Sequence, residues 1–211
     1  MKRKIALLVV GLLALGLTAC GNAAGQSSGS KDAGTQSTAV QSTKAEPTSG
    51  AQSTKDTLVV YFSATGTTKG VAEKIVNITG ADTYEIKAAQ EYSTADLNYN
   101  DSNSRSTKEQ KDATARPKIG SSAVSLEGYK TIYIGYPIWW GEEPRIMDTF
   151  VESNNFNGIT MIPFCTSSSS GLGRSGQNLA KNAGSGTWLD GKRFGAGASE
   201  DEIRSWIKGL Q

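Results

Sequence analysis

Apolar residues along this chain fall into two kinds of cluster. Leu58 to Phe62, Thr131 to Gly135 and Gly158 to Phe164 are short apolar runs rich in β-branched and aromatic side chains. Continuous rather than alternating hydrophobicity suits strands covered on both faces, as in a parallel sheet. Between the runs, apolar positions recur at helical spacing. Val71, Ala72, Ile75, Val76 and Ile78 form one stripe; Ile146, Met147, Phe150 and Val151 form another behind Pro144, a residue suited to a first helical turn. Ser199 and Glu202 make a capping box ahead of Ile203, Trp206, Ile207 and Leu210. Fainter patterns add an alternating edge strand at Thr83 to Ile86, a fifth strand at Lys192 to Gly195 and a helix over Gln177 to Ala183. The alternation predicts an open α/β sheet with helices on both faces, whose ligands bind at the carboxyl ends of the strands.

The first 55 residues follow a different logic. Lys2, Arg3 and Lys4 precede an apolar stretch from Ile5 to Leu17, and Leu17-Thr18-Ala19-Cys20 follows. A basic start, a short apolar centre and small residues at the exit describe a secretory signal peptide over residues 1–19. The apolar stretch is shorter than the roughly 20 residues a spanning helix needs. Leu-Thr-Ala-Cys resembles the lipobox of bacterial lipoproteins, and that resemblance implies that Cys20 is lipidated and anchors the chain to the extracytoplasmic face of the cell membrane. Residues 20–55 are then a tether of Ser, Thr, Gly, Gln, Ala and Lys, too polar to order itself, with an average span of roughly 30 to 35 Å. The predicted domain is residues 56–211.

Charge and composition narrow the chemistry. The formal charge of +2 hides a split: residues 56–211 carry 16 Lys and Arg against 18 Asp and Glu, a net of −2, so the basic excess lies in the leader and tether. A near-neutral domain without a basic stripe argues against nucleic acid. The chain has no histidine and, besides Cys20, only Cys165. Ser-His-Asp and Cys-His catalysis, histidine metal sites and thiolate zinc clusters are thereby excluded, as is an intramolecular disulfide once Cys20 is modified. Cys165 is expected to be buried at a strand end.

Three loops remain as candidate chemistry. After the first strand comes Ser63-Ala-Thr65-Gly66-Thr67-Thr68, four hydroxyls around a glycine at the mouth of the first helix, where amides and a positive dipole end favour an anion. Neither a Walker loop nor a dinucleotide fingerprint is present there; Lys69 is expected to turn to solvent, and capping by Thr67 or Thr68 is the plain structural alternative. After the third strand comes Tyr136-Pro137-Ile138-Trp139-Trp140-Gly141. Two adjacent tryptophans leaving a strand cannot both enter one core, so at least one is expected to face solvent or a planar ligand. After the fourth strand comes Cys165-Thr166-Ser167-Ser168-Ser169-Ser170-Gly171, whose small side chains leave amides open to a ring edge. Gly171, Gly173 and Gly176 spell a dinucleotide pattern in the wrong context, after a late strand and without the acidic partner.

Taken together and in this order, the three motifs resemble the flavodoxin family, across about Asp56 to Gln211. The resemblance implies a three-layer α/β sandwich with a five-stranded parallel sheet in order 2-1-3-4-5 and FMN at its carboxyl edge. Ser63, Thr65, Gly66, Thr67 and Thr68 would hold the phosphate. Pro137, Ile138, Trp139, Trp140 and Gly141 would line one ring face, and Thr166, Ser167, Ser168, Ser169, Ser170 and Gly171 would meet the pyrimidine edge. The weak net charge departs from the strongly acidic soluble flavodoxins, so partner recognition is not carried over. The polar stretch 91–119 resembles an insertion of this branch; it reads as a solvated loop with a short helix near Thr107 to Ala113, or else as a cover over the flavin. The implied function is electron transfer between a redox partner protein or a small-molecule acceptor and a membrane-tethered FMN protein. An FMN-dependent reductase of the NAD(P)H:quinone type and a non-redox scaffold are the alternatives.

Overall fold

A computed structural model of the chain describes residues 55–210. The signal peptide, Cys20 and all but the last residue of the tether lie outside the described residues.

A parallel sheet is built from β1 (Thr57–Phe62), β2 (Asp82–Ile86), β3 (Thr131–Pro137) and β4 (Thr160–Thr166), with two short strands, β5 (Thr187–Trp188) and β6 (Lys192–Phe194), both on β4. The order is β2-β1-β3-β4-β5. Helices α1 (Thr67–Thr79), α2 (Arg105–Lys111), α3 (Arg145–Glu152), α4 (Ser175–Ala183) and α5 (Glu200–Lys208) complete the fold.

The continuous apolar runs are explained by a core on each face of the sheet. Leu58, Val60 and Phe62 of β1 join Ile146, Met147 and Phe150 of α3 and Leu179 of α4. Val59 and Tyr61 join Val71, Ala72 and Ile75 of α1 with Ile203 and Ile207 of α5. Each β1 residue from Leu58 to Phe62 is therefore buried, since every side chain meets a helix layer whichever way it points. The capping box at α5 forms, the Ser199 side chain accepting from the Glu202 amide at 3.1 Å.

Several boundaries differ from the sequence expectation. β3 and β4 run two residues further, to Pro137 and Thr166, and carry their loops with them. Helix α2 lies at Arg105–Lys111 rather than Thr107 to Ala113, because Ser104 caps it. Pro144 precedes α3 instead of entering its first turn. The fifth strand is divided: β5 pairs with Thr160 and Met161 and β6 with Phe164 to Thr166, leaving Pro163 between them. Proline brings no N–H to the ladder, which breaks the edge beside it.

The stretch 91–119 is more than a solvated loop. Ser104, Ser106, Thr107 and Gln110 are buried, and Tyr92, Leu97 and Ile119 pack against the α3/α4-side core.

Candidate functional site

The carboxyl ends of β1, β3 and β4 open into a cleft of about 470 Å³ lined by Thr65, Thr67, the segment 137–141 and the segment 166–170, with Ala64, Leu97, Tyr99 and Ala196. Among the described residues, no charged side chain lines it.

The phosphate end is set by how α1 begins. Gly66 is the N-cap, at φ 86 in the left-handed region where a side chain would be strained, and no side chain caps the helix. The capping alternative therefore fails: Thr67 and Thr68 lie inside α1, and among the described residues no side chain caps its first amides, which lack intrahelical acceptors. Thr65 and Thr67 stand with their hydroxyls 3.4 Å apart at the cleft wall. Ser63 borders a neighbouring cleft of about 300 Å³ instead, and its Oγ is buried without a hydrogen-bond partner among the described residues. Thr68 does not reach the cleft; its hydroxyl is 2.7 Å from that of Thr166, tying the first loop to the third beneath the site. Lys69 is spent on Glu85 at 3.9 Å, half-exposed and outside the cleft lining.

The two tryptophans separate. Trp139 is buried, packed edge-to-face against Phe62 and Tyr92 with ring centroids 5.7 and 5.1 Å away, and still borders the cleft. Trp140 is 42% exposed, with Tyr99 of the insertion 4.4 Å from its ring at a 38° tilt. Between them the backbone closes a tight turn. The Trp139 amide donates to the Glu142 carbonyl at 2.9 Å and the Glu142 amide to the Trp139 carbonyl at 3.0 Å. Both central residues have positive φ, 50 for Trp140 and 85 for Gly141. Gly141 adopts this freely; for a bulky residue such as Trp140 it is a strained conformation.

The serine loop is pinned from below. Arg193 of β6 donates from Nη2 to the Ser167 and Ser168 carbonyls at 2.7 and 2.5 Å, and Ser167 Oγ donates to the Ser170 carbonyl. With these carbonyls engaged, Ser168, Ser169 and Ser170 line the cleft at its open side. Gly171 lies outside the lining. Cys165 is buried beside this loop, and burial pushes its thiol up to about 12, so it is not a nucleophile.

Sequence reasoning missed Ala64, Leu97, Tyr99, Ala196 and Arg193. Tyr99 carried one usable signal, an aromatic residue in an otherwise polar insertion. Arg193 carried none, since its role arises from the register of β6 on β4.

A flavodoxin family model matches residues 56–210. The chain belongs to the flavodoxin family. Among solved structures, a flavoprotein of Bacteroides uniformis is 44% identical, with 72% of this chain and 97% of that one covered and a TM-score of 0.69. One of Bacteroides eggerthii is 41% identical over 74% and 97%, again with a TM-score of 0.69. A flavoprotein of Lactobacillus acidophilus solved in complex with FMN is 23% identical over 72% and 99%, with a TM-score of 0.56, and shares the flavodoxin fold. No curated protein matches the chain.

The residues present suit the cofactor that the family name implies. An uncapped helix start and two cleft-facing hydroxyls make a donor-rich, uncharged cradle for a phosphate, with the unpartnered Ser63 hydroxyl buried beside it. The neutral, partly aromatic wall from Pro137 to Gly141 suits a planar ring.

Proposed function

We propose that the chain is an FMN-binding electron-transfer protein, held by a lipid on Cys20 at the extracytoplasmic face of the cell membrane. The observation that carries the redox reading is the convergence, in one uncharged cleft, of the amide-and-hydroxyl cradle at α1, the Trp139–Glu142 turn and the serine loop. When bound there, FMN supplies the redox chemistry.

The chain's own part is binding and positioning. Thr65, Thr67 and the first α1 amides hold the phosphate, and Ser63 Oγ, buried and unpartnered beside the neighbouring cleft in the free protein, turns to it on binding. Trp139, locked by Phe62 and Tyr92, fixes one wall, while the amides of the serine loop face the ring's polar edge. No side chain in the cleft is an acid or base in the neutral range, so none is assigned a proton-transfer role. Trp140 and Tyr99 lie at the exposed mouth, where an incoming redox partner makes contact. Membrane attachment follows from the leader: Leu-Thr-Ala-Cys20 ahead of a polar tether would let the domain reach partners above the bilayer.

The test is to purify the chain, add FMN and record the visible spectrum and its reversible reduction. A yellow protein that exchanges electrons with a reductase protein, yet does not turn over reduced nicotinamide and quinone alone, agrees with the proposal. Turnover without a reductase protein would make it the NAD(P)H:quinone-type enzyme, and a colourless protein that takes up no FMN would make it a scaffold. Radiolabelled palmitate on the wild-type chain and none on Cys20→Ser tests the anchor.

A further inference from the structure

Behind the Trp139–Glu142 turn lies a group of side chains that cofactor binding does not use. Glu143 and Asp148 are essentially fully buried and Arg145 is 9% exposed. Among the described residues, Glu143 Oε1, Arg145 Nε and Asp148 Oδ2 have no hydrogen-bond partner. One guanidinium serves several acceptors: Arg145 Nη2 donates to Glu142 Oε2 at 2.8 Å and to the main-chain carbonyl of Gln110 at 3.1 Å. Its Nη1 lies 3.5 Å from Asp148 Oδ2 and 4.0 Å from Glu143 Oε1. From α4, Asn178 donates to Glu143 Oε2 at 3.3 Å and Asn182 to Asp148 Oδ1 at 2.9 Å. Arg116, paired with Glu152 at 2.7 Å, bears on Asp148 from the insertion, and Tyr136, hydrogen-bonded to Ser175, bears on Glu143 from β3.

Two buried carboxyls facing one shared cation cannot both ionise cheaply in a low-dielectric interior. Burial, with Asp148 and Glu142 adding to it, pushes Glu143 up to about 7. Burial raises Asp148 as well.

The group is tied to the strained turn through Gln110. Gln110 Nε2 donates to the Trp139 carbonyl at 3.2 Å and the Glu143 carbonyl at 3.1 Å, while its Oε1 accepts from the Arg145 amide at 3.3 Å. A turn with tryptophan at φ 50 persists only where its surroundings hold it.

We propose that Glu143 is a proton-holding positioning residue for the cofactor-facing turn. While its carboxyl is protonated, Arg145 stays on Gln110 and Glu142 and the turn keeps Trp140 at the cleft mouth. Loss of that proton draws the guanidinium toward Glu143 and off the main-chain carbonyl of Gln110, which loosens the end of α2 from which the Gln110 side chain holds the turn, and the turn relaxes. The ligand arm of this idea rests on the FMN reading; the conformational arm does not.

The test uses the full-length, ¹⁵N-labelled chain without added FMN, following the indole N–H resonances of Trp139 and Trp140 from about pH 5.5 to about 8.5. Both titrate with one shared midpoint in the wild type, and neither does in Glu143→Gln. In Gln110→Ala the Trp139 and Trp140 signals stop responding to pH, although Glu143 still titrates. A midpoint that survives in Glu143→Gln, or indoles that never respond in the wild type, overturns the proposal. If Glu143→Gln does not fold, Asp148→Asn removes a like charge and must move the midpoint to lower pH; an unmoved midpoint overturns the proposal equally. In parallel, the FMN Kd of the wild type rises about tenfold across the midpoint relative to Glu143→Gln, one unit of proton linkage. The phosphate's own ionisation is common to both and cancels. Absence of FMN binding altogether would sink the proposed function and leave the indole titration to judge the turn.

Discussion

Replacing Ser63 by alanine should push stability and binding in opposite directions. In the free protein the Ser63 hydroxyl is buried without a partner, a condition that costs about 1 to 3 kcal/mol relative to a satisfied group. Removing the oxygen deletes that penalty and leaves a cavity no larger than a hydroxyl. Ser63→Ala should therefore raise the stability of the cofactor-free protein by about 1 kcal/mol, roughly 2 to 4 °C in Tm for a domain of this size. With FMN the sign reverses. A hydroxyl donating to a phosphate oxygen contributes about 1.5 to 3 kcal/mol, so its loss should weaken FMN binding by roughly ten- to a hundredfold. Thermal unfolding with and without FMN, together with titration by flavin fluorescence quenching, reads both effects on one sample. Lower stability of the free protein with unchanged FMN affinity would instead make Ser63 a satisfied core hydroxyl with no part in phosphate binding.

Other substitutions divide along the same lines. Thr65→Ala with Thr67→Ala should weaken FMN by about two orders of magnitude, since two charge-assisted donors are lost, while leaving unfolding midpoints nearly unchanged; calorimetric titration checks this. Trp139→Ala should cost about 3 to 5 kcal/mol of stability as a buried aromatic truncation, whereas Trp140→Ala should cost under about 1 kcal/mol and alter the bound-flavin spectrum; denaturant melts and absorbance separate them. The free protein should lose stability as pH rises from about 4.5 to about 7, because in that window the fold holds a proton on Glu143 that the unfolded chain has released. Glu143→Gln should flatten that slope, as urea midpoints at several pH values would show.

Much of this architecture was legible in the sequence, for reasons the structure makes plain. The continuous apolar runs read as doubly covered strands because their residues do alternate between two helix layers, as Leu58 and Val59 illustrate. The three loops could be located because strand ends in such sheets converge. What escaped was set by partners distant in sequence. Pro163 was a visible warning that the edge beside β4 would break, yet only the pairing of β5 and β6 gives it meaning. Gln110 looks like an ordinary surface residue of a polar stretch, and its burial depends on the carbonyls of Trp139 and Glu143 arriving beside it. Thr68 read as a phosphate donor by its motif, whereas its hydroxyl is engaged with Thr166. The two tryptophans posed the right question, but which of them is buried follows from Phe62 and Tyr92, not from the doublet itself.

On the proposed reading, hydroxyls and helix amides, rather than a cationic side chain, select the phosphate of the cofactor. Comparing FMN with riboflavin under identical conditions tests it most directly, because the two ligands share the ring and differ in that phosphate. FMN should bind tighter by about a hundredfold or more, as expected of several charge-assisted hydrogen bonds. Equal affinities would contradict it.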